Sequence, residues 1–511
     1  MNECAETRSF CLLNDPWIPI AGLGEVSLTE LFTHPEYARL GGSPIEKVVI
    51  LRFLLCIAHA STPIPDVDAW SALTPEKLAE NALEYLEKWK DRFDLYDEKR
   101  PFLQFPQLRG QCEKSSPNAL SLNVASGNKT VLTQWSAAKE CSDAELVRLI
   151  LCGSGYGMGG GKYDLRAKVD PNTIKRKKDT GKASAPQGTL TGYYGYLHSF
   201  LLGSTILETV RLNMLTEEDL RELRPDMPLG RPFWEEMPTD EDGVTAKRYS
   251  SGYLGILFPL DKFFCLEDGA LLMTQGISNA LYPSHKNGQW DPGITLYLDK
   301  KDMKARWCST ERTPWRQLTG LLQFIETQET MPAFVVRGTE KFRHDPKIQE
   351  FGLWAGGVAV STNSGEQYVS GKNDYVNSEF LIPMDWVLQN SWSVYQRLMK
   401  EIERYASILW KSVTAFYSKQ MVSEPGQRES AVRLFWERME PMAQTVIELS
   451  CEEDPEVVES AKKSWQKLAV SCYREFCPCV TPRQMQAYVQ CMPNFSEKKE
   501  TKEKKKKEGK K

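Results

Sequence analysis

A chain of 511 residues, 41% hydrophobic and 26% charged, has the composition of a folded soluble protein and exceeds the roughly 100–200 residues of one ordinary core. Mainly disordered, coiled-coil and collagen-like chains are excluded. The net charge of −4 looks indifferent to nucleic acid, but Glu497 to Lys511 alone carry +5 and leave −9 on the body, so any anion-binding surface must be local.

The start, Met1 to Glu6, holds two acids and neither a basic nor an apolar region, so no secretory signal is expected. From Pro44 to Ala60 the apolar residues Val48, Val49, Leu51, Leu54, Leu55 and Ile57 have helical spacing with a broad buried face, interrupted by Arg52 and His59. A second helix is expected from Pro75 to Phe93, with Pro75 in its first turn, and a third from Ser142 and Asp143 to Leu151. Between Tyr253 and Leu298 short runs such as Tyr253 to Phe258 and Ile294 to Leu298 are broken by Gly, Pro and Asn, which predicts strands and hairpins. Val358 to Val369 predicts a hairpin turning at Asn363, Ser364 and Gly365.

After Met384 the pattern becomes helical. Val394, Leu398, Ile402, Tyr405, Leu409, Val413 and Phe416 step by three and four. Val432 to Val446 and Val458 to Cys472 repeat the pattern, and Met485 to Val489 adds a fourth, shorter run. The fold class is therefore α+β: an irregular mixed α/β domain over 1–384, a C-terminal four-helix bundle over 385–495 and a lysine-rich tail over 496–511. Acids and bases nearly balance in the bundle, which reads as a scaffold or protein-docking unit.

The chemistry of an enzyme is missing from the motifs. Five histidines (His34, His59, His198, His285 and His344) are dispersed beyond metal-ligand spacing. Thirteen scattered cysteines read as reduced thiols, and the one cluster, Cys472, Cys477, Cys479 and Cys491, lacks zinc spacing. No cofactor and no metal are expected. No apolar run approaches the ~20 residues of a membrane span, so the expectation is a cytoplasmic protein without membrane contact.

The conspicuous motif is glycine-rich: Gly153, Ser154, Gly155, Tyr156, Gly157, Met158, Gly159, Gly160, Gly161 and Lys162. A phosphate loop would need Gly where Tyr156 stands and Ser or Thr where Tyr163 stands. A dinucleotide fingerprint would need a strand before it and a helix after it, and here a helix precedes and a polar segment follows. What such a run offers is backbone that can approach another surface closely. From Gly155 to Gly188 the chain adds eight bases, Lys175, Arg176, Lys177 and Lys178 consecutively among them, against three acids. A glycine loop leading into a basic segment is a credible nucleic-acid contact, with charge tracking phosphates and glycines entering a groove.

In their order, Leu13 to Ile20 (LNDPWIPI), Arg100 to Gln104 (RPFLQ), the glycines 157–161 and Asn287 to Pro292 (NGQWDP) resemble the large-subunit family (CasA) of the type I-E CRISPR Cascade complex. The similarity extends over nearly the whole chain. It implies a non-enzymatic subunit that reads the protospacer-adjacent motif on double-stranded DNA, helps to start unwinding and docks a separate helicase-nuclease, beside guide RNA and other Cascade subunits. In that family the glycine loop reads the motif from the minor groove, so Gly157, Gly159, Gly160 and Gly161, with Met158 and Lys162 between and after them, are the implied contacts. The groove's hydrogen-bond pattern is degenerate, so several motifs would be tolerated.

The resemblance further implies a hairpin glutamine that wedges the first base pair, here Gln367 with Asn363 as the alternative. A minor-groove lysine is implied too; Lys286 is nearest to its position, at a shorter offset from the Asn-Gly-x-Trp motif. A loop touching guide RNA and a neighbouring subunit would fall near Leu122 to Lys129, through Asn128 and Lys129. Some members carry a four-cysteine zinc site between the glycine loop and the Trp motif, where this chain has only Cys265. Two rival readings are a nucleotide-binding enzyme using the glycine motif and a structural adaptor working through the bundle.

Overall fold

A computed structural model describes residues 8–120, 140–158, 169, 188–277, 291–299, 302–321, 333–343, 345, 348–363, 366–369, 374–388, 392–423 and 426–496. The chain forms two compact units, Met1–Met384 and Asp385–Lys511.

In the first unit, helix α1 (Pro44–Ser61) starts where its sequence says it should. The Ser43 hydroxyl accepts from the Glu46 amide, the Glu46 carboxylate accepts from the Ser43 amide, and Pro44 fills the first turn. Every residue from Val48 to His59 is buried. A helix buried around its whole circumference belongs inside a core, and α2 (Pro75–Lys88) and α3 (Asp143–Gly155) pack against it. Helix α3 is capped by Ser142 as expected but runs past Leu151 to Gly155, so the glycine-rich stretch begins as helix.

A three-stranded antiparallel sheet has β6 (Glu350–Val358) at its centre, flanked by β9 (Tyr375–Pro383) and β1 (His198–Leu202). Strand β6 is buried along its length after Glu350, so it shows none of the alternation that marks a half-exposed strand. Trp354 of β6 stacks on Phe200 of β1 with ring centres 4.6 Å apart, and its indole N–H donates to Asn377 Oδ1 on β9 at 2.7 Å.

The expectation of strands between Tyr253 and Leu298 holds in part. Tyr253 to Leu257 is a helical turn, α4, not a strand; the run is short, wholly buried and preceded by glycine, and periodicity over five residues does not separate the two states. Beyond it, β2 (Lys262–Glu267) pairs with β3 (Ala270–Gln275), and β4 (Leu296–Asp299) with β5 (Asp302–Ala305). The expected hairpin is present as β7 (Ser361–Asn363) and β8 (Glu366–Tyr368), with Asn363 opposite Glu366.

The second unit is helical: α5 (Trp392–Lys419), α6 (Gln427–Met439), α7 (Pro455–Phe476) and α8 (Pro482–Cys491), with short helical turns between α6 and α7. Helix α5 packs against the other three, and α6 against α7. Leu409, Val413, Phe416, Phe435, Met439, Ala469 and Cys472 are fully buried, the stripe that a period of 3.6 turns to one side. Asp454 and Thr481 cap α7 and α8, each followed by proline. Among the described residues no helix is long and apolar enough to cross a membrane, and no group of His, Cys, Asp and Glu could hold a metal ion.

Candidate nucleic-acid interface

Helix α3 delivers the chain to Tyr156, Gly157 and Met158, all buried. The candidates Gly159, Gly160, Gly161, Lys162, Lys175, Arg176, Lys177 and Lys178 lie outside the described residues, and the chain returns at Gly188. The two ends of this excursion touch. A Cβ built on Gly188 would fall 1.4 Å from the Gly157 carbonyl oxygen, and one on Gly157 would fall 2.8 Å from the Gly153 carbonyl oxygen. Only glycine lets two backbones pass this closely. The Thr191 hydroxyl stitches the crossing, reaching the carbonyls of Tyr156 and Gly157 at 3.1 and 3.2 Å. Within the excursion, the Val169 amide donates to the buried Glu241 carboxylate at 2.6 Å.

The hairpin carries the second candidate. Gln367 on β8 is 2% exposed, and its amide nitrogen donates to the carbonyls of Gly192 at 2.6 Å and Tyr193 at 2.9 Å. Gly157 and Gln367, 210 residues apart in sequence, thus both adjoin residues 188–193. Asn363 sits on the partner strand. The third candidate, Lys286, falls in 278–290, outside the described residues, as do Asn128 and Lys129.

The segment around Lys286 is fastened at its far end by an ion pair that motif reading missed. Asp291 grips Arg52 of α1 through both oxygens, at 2.7 and 3.0 Å, and one of them also accepts the amides of Gly293 and Ile294 at 2.8 and 3.0 Å. Both side chains are buried, at 2% and 0% exposure. Burial alone would raise the Asp291 carboxyl; the Arg52 guanidinium overrides it and holds the group below the usual carboxylate range. The available signal was Arg52 itself, since a charge inside an otherwise apolar helix needs a partner. The described histidines are packing elements or surface residues. His59 meets the Tyr253 ring edge-on at 5.2 Å, the His198 Nε2–H donates to the Leu190 carbonyl at 2.8 Å, and His34 is exposed beside Glu36.

The family model for the CRISPR-associated protein Cse1 matches residues 12–475. The chain belongs to the Cse1 family. A curated CasA/Cse1 protein of Thermus thermophilus is 26% identical over 337 residues, 62% of this chain and 60% of that protein; the match thus spans about three-fifths of that relative's length. Among solved structures, Thermobifida fusca Cse1 superposes with a TM-score of 0.73 at 17% identity, covering 95% of this chain and 97% of that one. A chain of a CRISPR RNA-guided surveillance complex gives 0.68 at 18% identity, covering 95% and 99%. At such identities the likeness is one of fold: the mixed first unit and helical second unit of this chain have the Cse1 architecture. Within that fold Cys265, at the place where the resemblance allows for a zinc site, is buried on β2.

Proposed function

We propose that this chain is the non-catalytic large subunit of an RNA-guided CRISPR surveillance complex, which recognises the protospacer-adjacent motif in double-stranded DNA, promotes local unwinding and recruits a helicase-nuclease. The observation that carries the reading is the convergence at 188–193: the neck of the glycine loop and the hairpin residue Gln367 hold the same stretch of chain. A loop that reads a motif and a residue that opens the adjoining base pair have to sit side by side, and this arrangement supports that. The surveillance-complex membership of a structural relative supports the partners, which are guide RNA and the other Cascade subunits, reached in part through Asn128 and Lys129. Gly157 and Met158 are buried in the neck and cannot face a duplex as they stand, so double-stranded DNA would be met by Gly159 to Lys162 and by the phosphate-tracking bases Lys175 to Lys178, with Lys286 in the minor groove. A wedging Gln367 would first have to release the carbonyls of Gly192 and Tyr193, whereas Asn363 lies across the same hairpin.

The test uses the assembled complex and duplexes with matched and mismatched flanking motifs. Gly160→Asp adds a Cβ and a negative charge where backbone should face the groove, and should abolish preference for the matched motif while leaving the fold intact. Replacing Lys175, Arg176, Lys177 and Lys178 by Ala should weaken binding to all sequences and flatten the salt slope, by about 0.9 for each phosphate no longer neutralised. Gln367→Ala should leave duplex binding intact and slow strand opening, followed with a fluorescent base beside the motif. Unchanged preference in the Gly160 variant would remove the loop from this account, and slower opening with Asn363→Ala instead would move the wedge along the hairpin.

A further inference from the structure

Between the glycine neck and β1 runs a short aromatic stretch, Tyr193, Tyr194 and Tyr196, preceded by Gly192 and interrupted by Gly195. The hairpin is seated on it. The Gln367 side chain donates to the carbonyls of Gly192 and Tyr193, and the Val360 amide, just before β7, donates to the Tyr194 carbonyl at 2.9 Å. The same stretch bridges to the chain after β5: Tyr196 pairs with Trp307, and the Cys308 amide donates to the Gly195 carbonyl at 2.8 Å. The rings of the two segments form a ladder. Trp307 lies flat on Tyr196 with ring centres 4.7 Å apart, Tyr194 meets Trp307 edge to face at 5.5 Å, and Tyr193 meets Tyr194 near a right angle at 4.4 Å. The ladder leads from the inside of the fold to its surface. Tyr196 is 5% exposed, Tyr193 and Trp307 are half-buried, and Tyr194 is 48% exposed.

We propose that Tyr194, supported by Tyr193 and Trp307, is a stacking platform for the first base freed from the displaced strand when the pair beside the motif opens. The inference deepens the proposed function and rests on it. A single apolar residue at a surface needs no explanation, but a row of adjoining rings that ends in the open does. Every base has a π-face, so an aromatic side chain holds an unpaired base whatever its identity. Of two bases parted at the hairpin, the one on the target strand pairs with the guide, and its former partner is left without a stack. Tyr194 follows directly on the residue whose carbonyl Gln367 grips, so a base parted there emerges beside it. The local charge agrees. Lys304 to Gln317 contain Lys304, Arg306, Arg312 and Arg316 against Glu311 alone, a balance that suits the phosphate a stacked nucleotide brings. A ring that served packing alone would be the buried end of the row, and leucine could replace it at similar volume. Phenylalanine keeps the π-face and leucine keeps only the apolar bulk, so the two substitutions separate the roles.

The experiment uses the assembled complex and a matched duplex carrying 5-iododeoxyuridine at the first displaced position, a base that photocouples preferentially to an aromatic ring stacked on it. Irradiation of the parent complex should join the displaced strand to a peptide containing Tyr194 or Trp307, located by mass spectrometry. A second duplex, with a fluorescent base beside the motif, reports strand opening. Tyr194→Leu should lower both the coupling and the opening about tenfold, and Tyr194→Phe should keep both within about twofold of the parent. Hydrogen exchange at the Val360 amide, which bonds the Tyr194 backbone, checks that the hairpin stays seated in each variant. Coupling of the displaced base at any other site, or a Leu variant that opens duplex as the parent does, overturns the proposal. So does coupling of Tyr194 to iodouridine placed in the guide RNA in preference to the displaced strand. A parent complex that opens no matched duplex would instead overturn the function on which it rests.

Discussion

In the helical unit, Leu398, Leu409, Val413 and Phe416 are spaced along one side of a single helix and are buried where it packs on its three neighbours. Around the glycine neck, by contrast, the chain is held by hydrogen bonds between residues far apart in sequence: Asp261 with Thr189, Gln367 with Gly192, Arg52 with Asp291. The bundle's stability is distributed over many interchangeable apolar contacts, each replaceable by a residue of similar volume. The neck depends on a few polar bonds with one geometry each, and such bonds cost most when one partner is removed. A surface that must present backbone to a ligand at a fixed place needs the second kind of support.

The contrast can be broken most sharply at the buried ion pair. Asp291→Ala removes the carboxylate that faces the Arg52 guanidinium inside α1 and the acceptor of two amides, and should cost about 3–5 kcal/mol. Urea unfolding with hydrogen exchange read separately over the two units should place that loss in 1–384 and leave the bundle unmoved. Leu409→Ala in α5 should do the reverse, costing the bundle about 3 kcal/mol through lost burial and a residual cavity. Equal losses in both units from either variant would show that they do not unfold as separate bodies.

A third difference between the two units is set by pH. All five histidines precede residue 384. Burial pushes His59 down to about 3 and His198 to about 4, from 6.5. Both are neutral in the fold, while the unfolded chain takes up protons below 6.5. Their contribution is therefore complete above that value and is lost as pH falls towards 4 and 3, at up to about 1.4 kcal/mol per pH unit for each histidine. The first unit should weaken between pH 6.5 and 5 and the bundle should lack this component; His59→Leu should roughly halve it.

How much of this could be read in advance follows the same divide. The bundle's helices and the helices at Pro44, Pro75 and Ser142 are legible because periodicity and caps are local: Ser43 needs only Glu46, and Thr481 only Gln484. Strand β6 is not, because a strand buried on both faces and carrying Gly352, Gly356 and Gly357 has neither alternation nor a run of branched residues. Tyr253 to Leu257 reads as strand for want of length and folds as helix. At the candidate site the glycine run draws notice at Gly157, but its counterpart Gly188 is 31 residues on. Asp291 lies 239 residues from Arg52, and no local pattern connects such residues.

The crossing of Gly157 and Gly188 has a consequence for how this family can change. With the two backbones pinned by Thr191 and Asp261, the 29 residues numbered 159–187 are spliced onto the fold at a fixed port. Closing a loop whose ends are already fixed grows costlier only logarithmically, by about 0.6 kcal/mol for each doubling of length. Val169 is a third fixed point, its amide held by the buried Glu241, so changes in length are tolerated on either side of it at little cost to the core that holds Gly157, Gly188 and Glu241. Insertions and deletions are thus steered into two short windows, 159–168 and 170–187, separated by a residue that the core keeps in place.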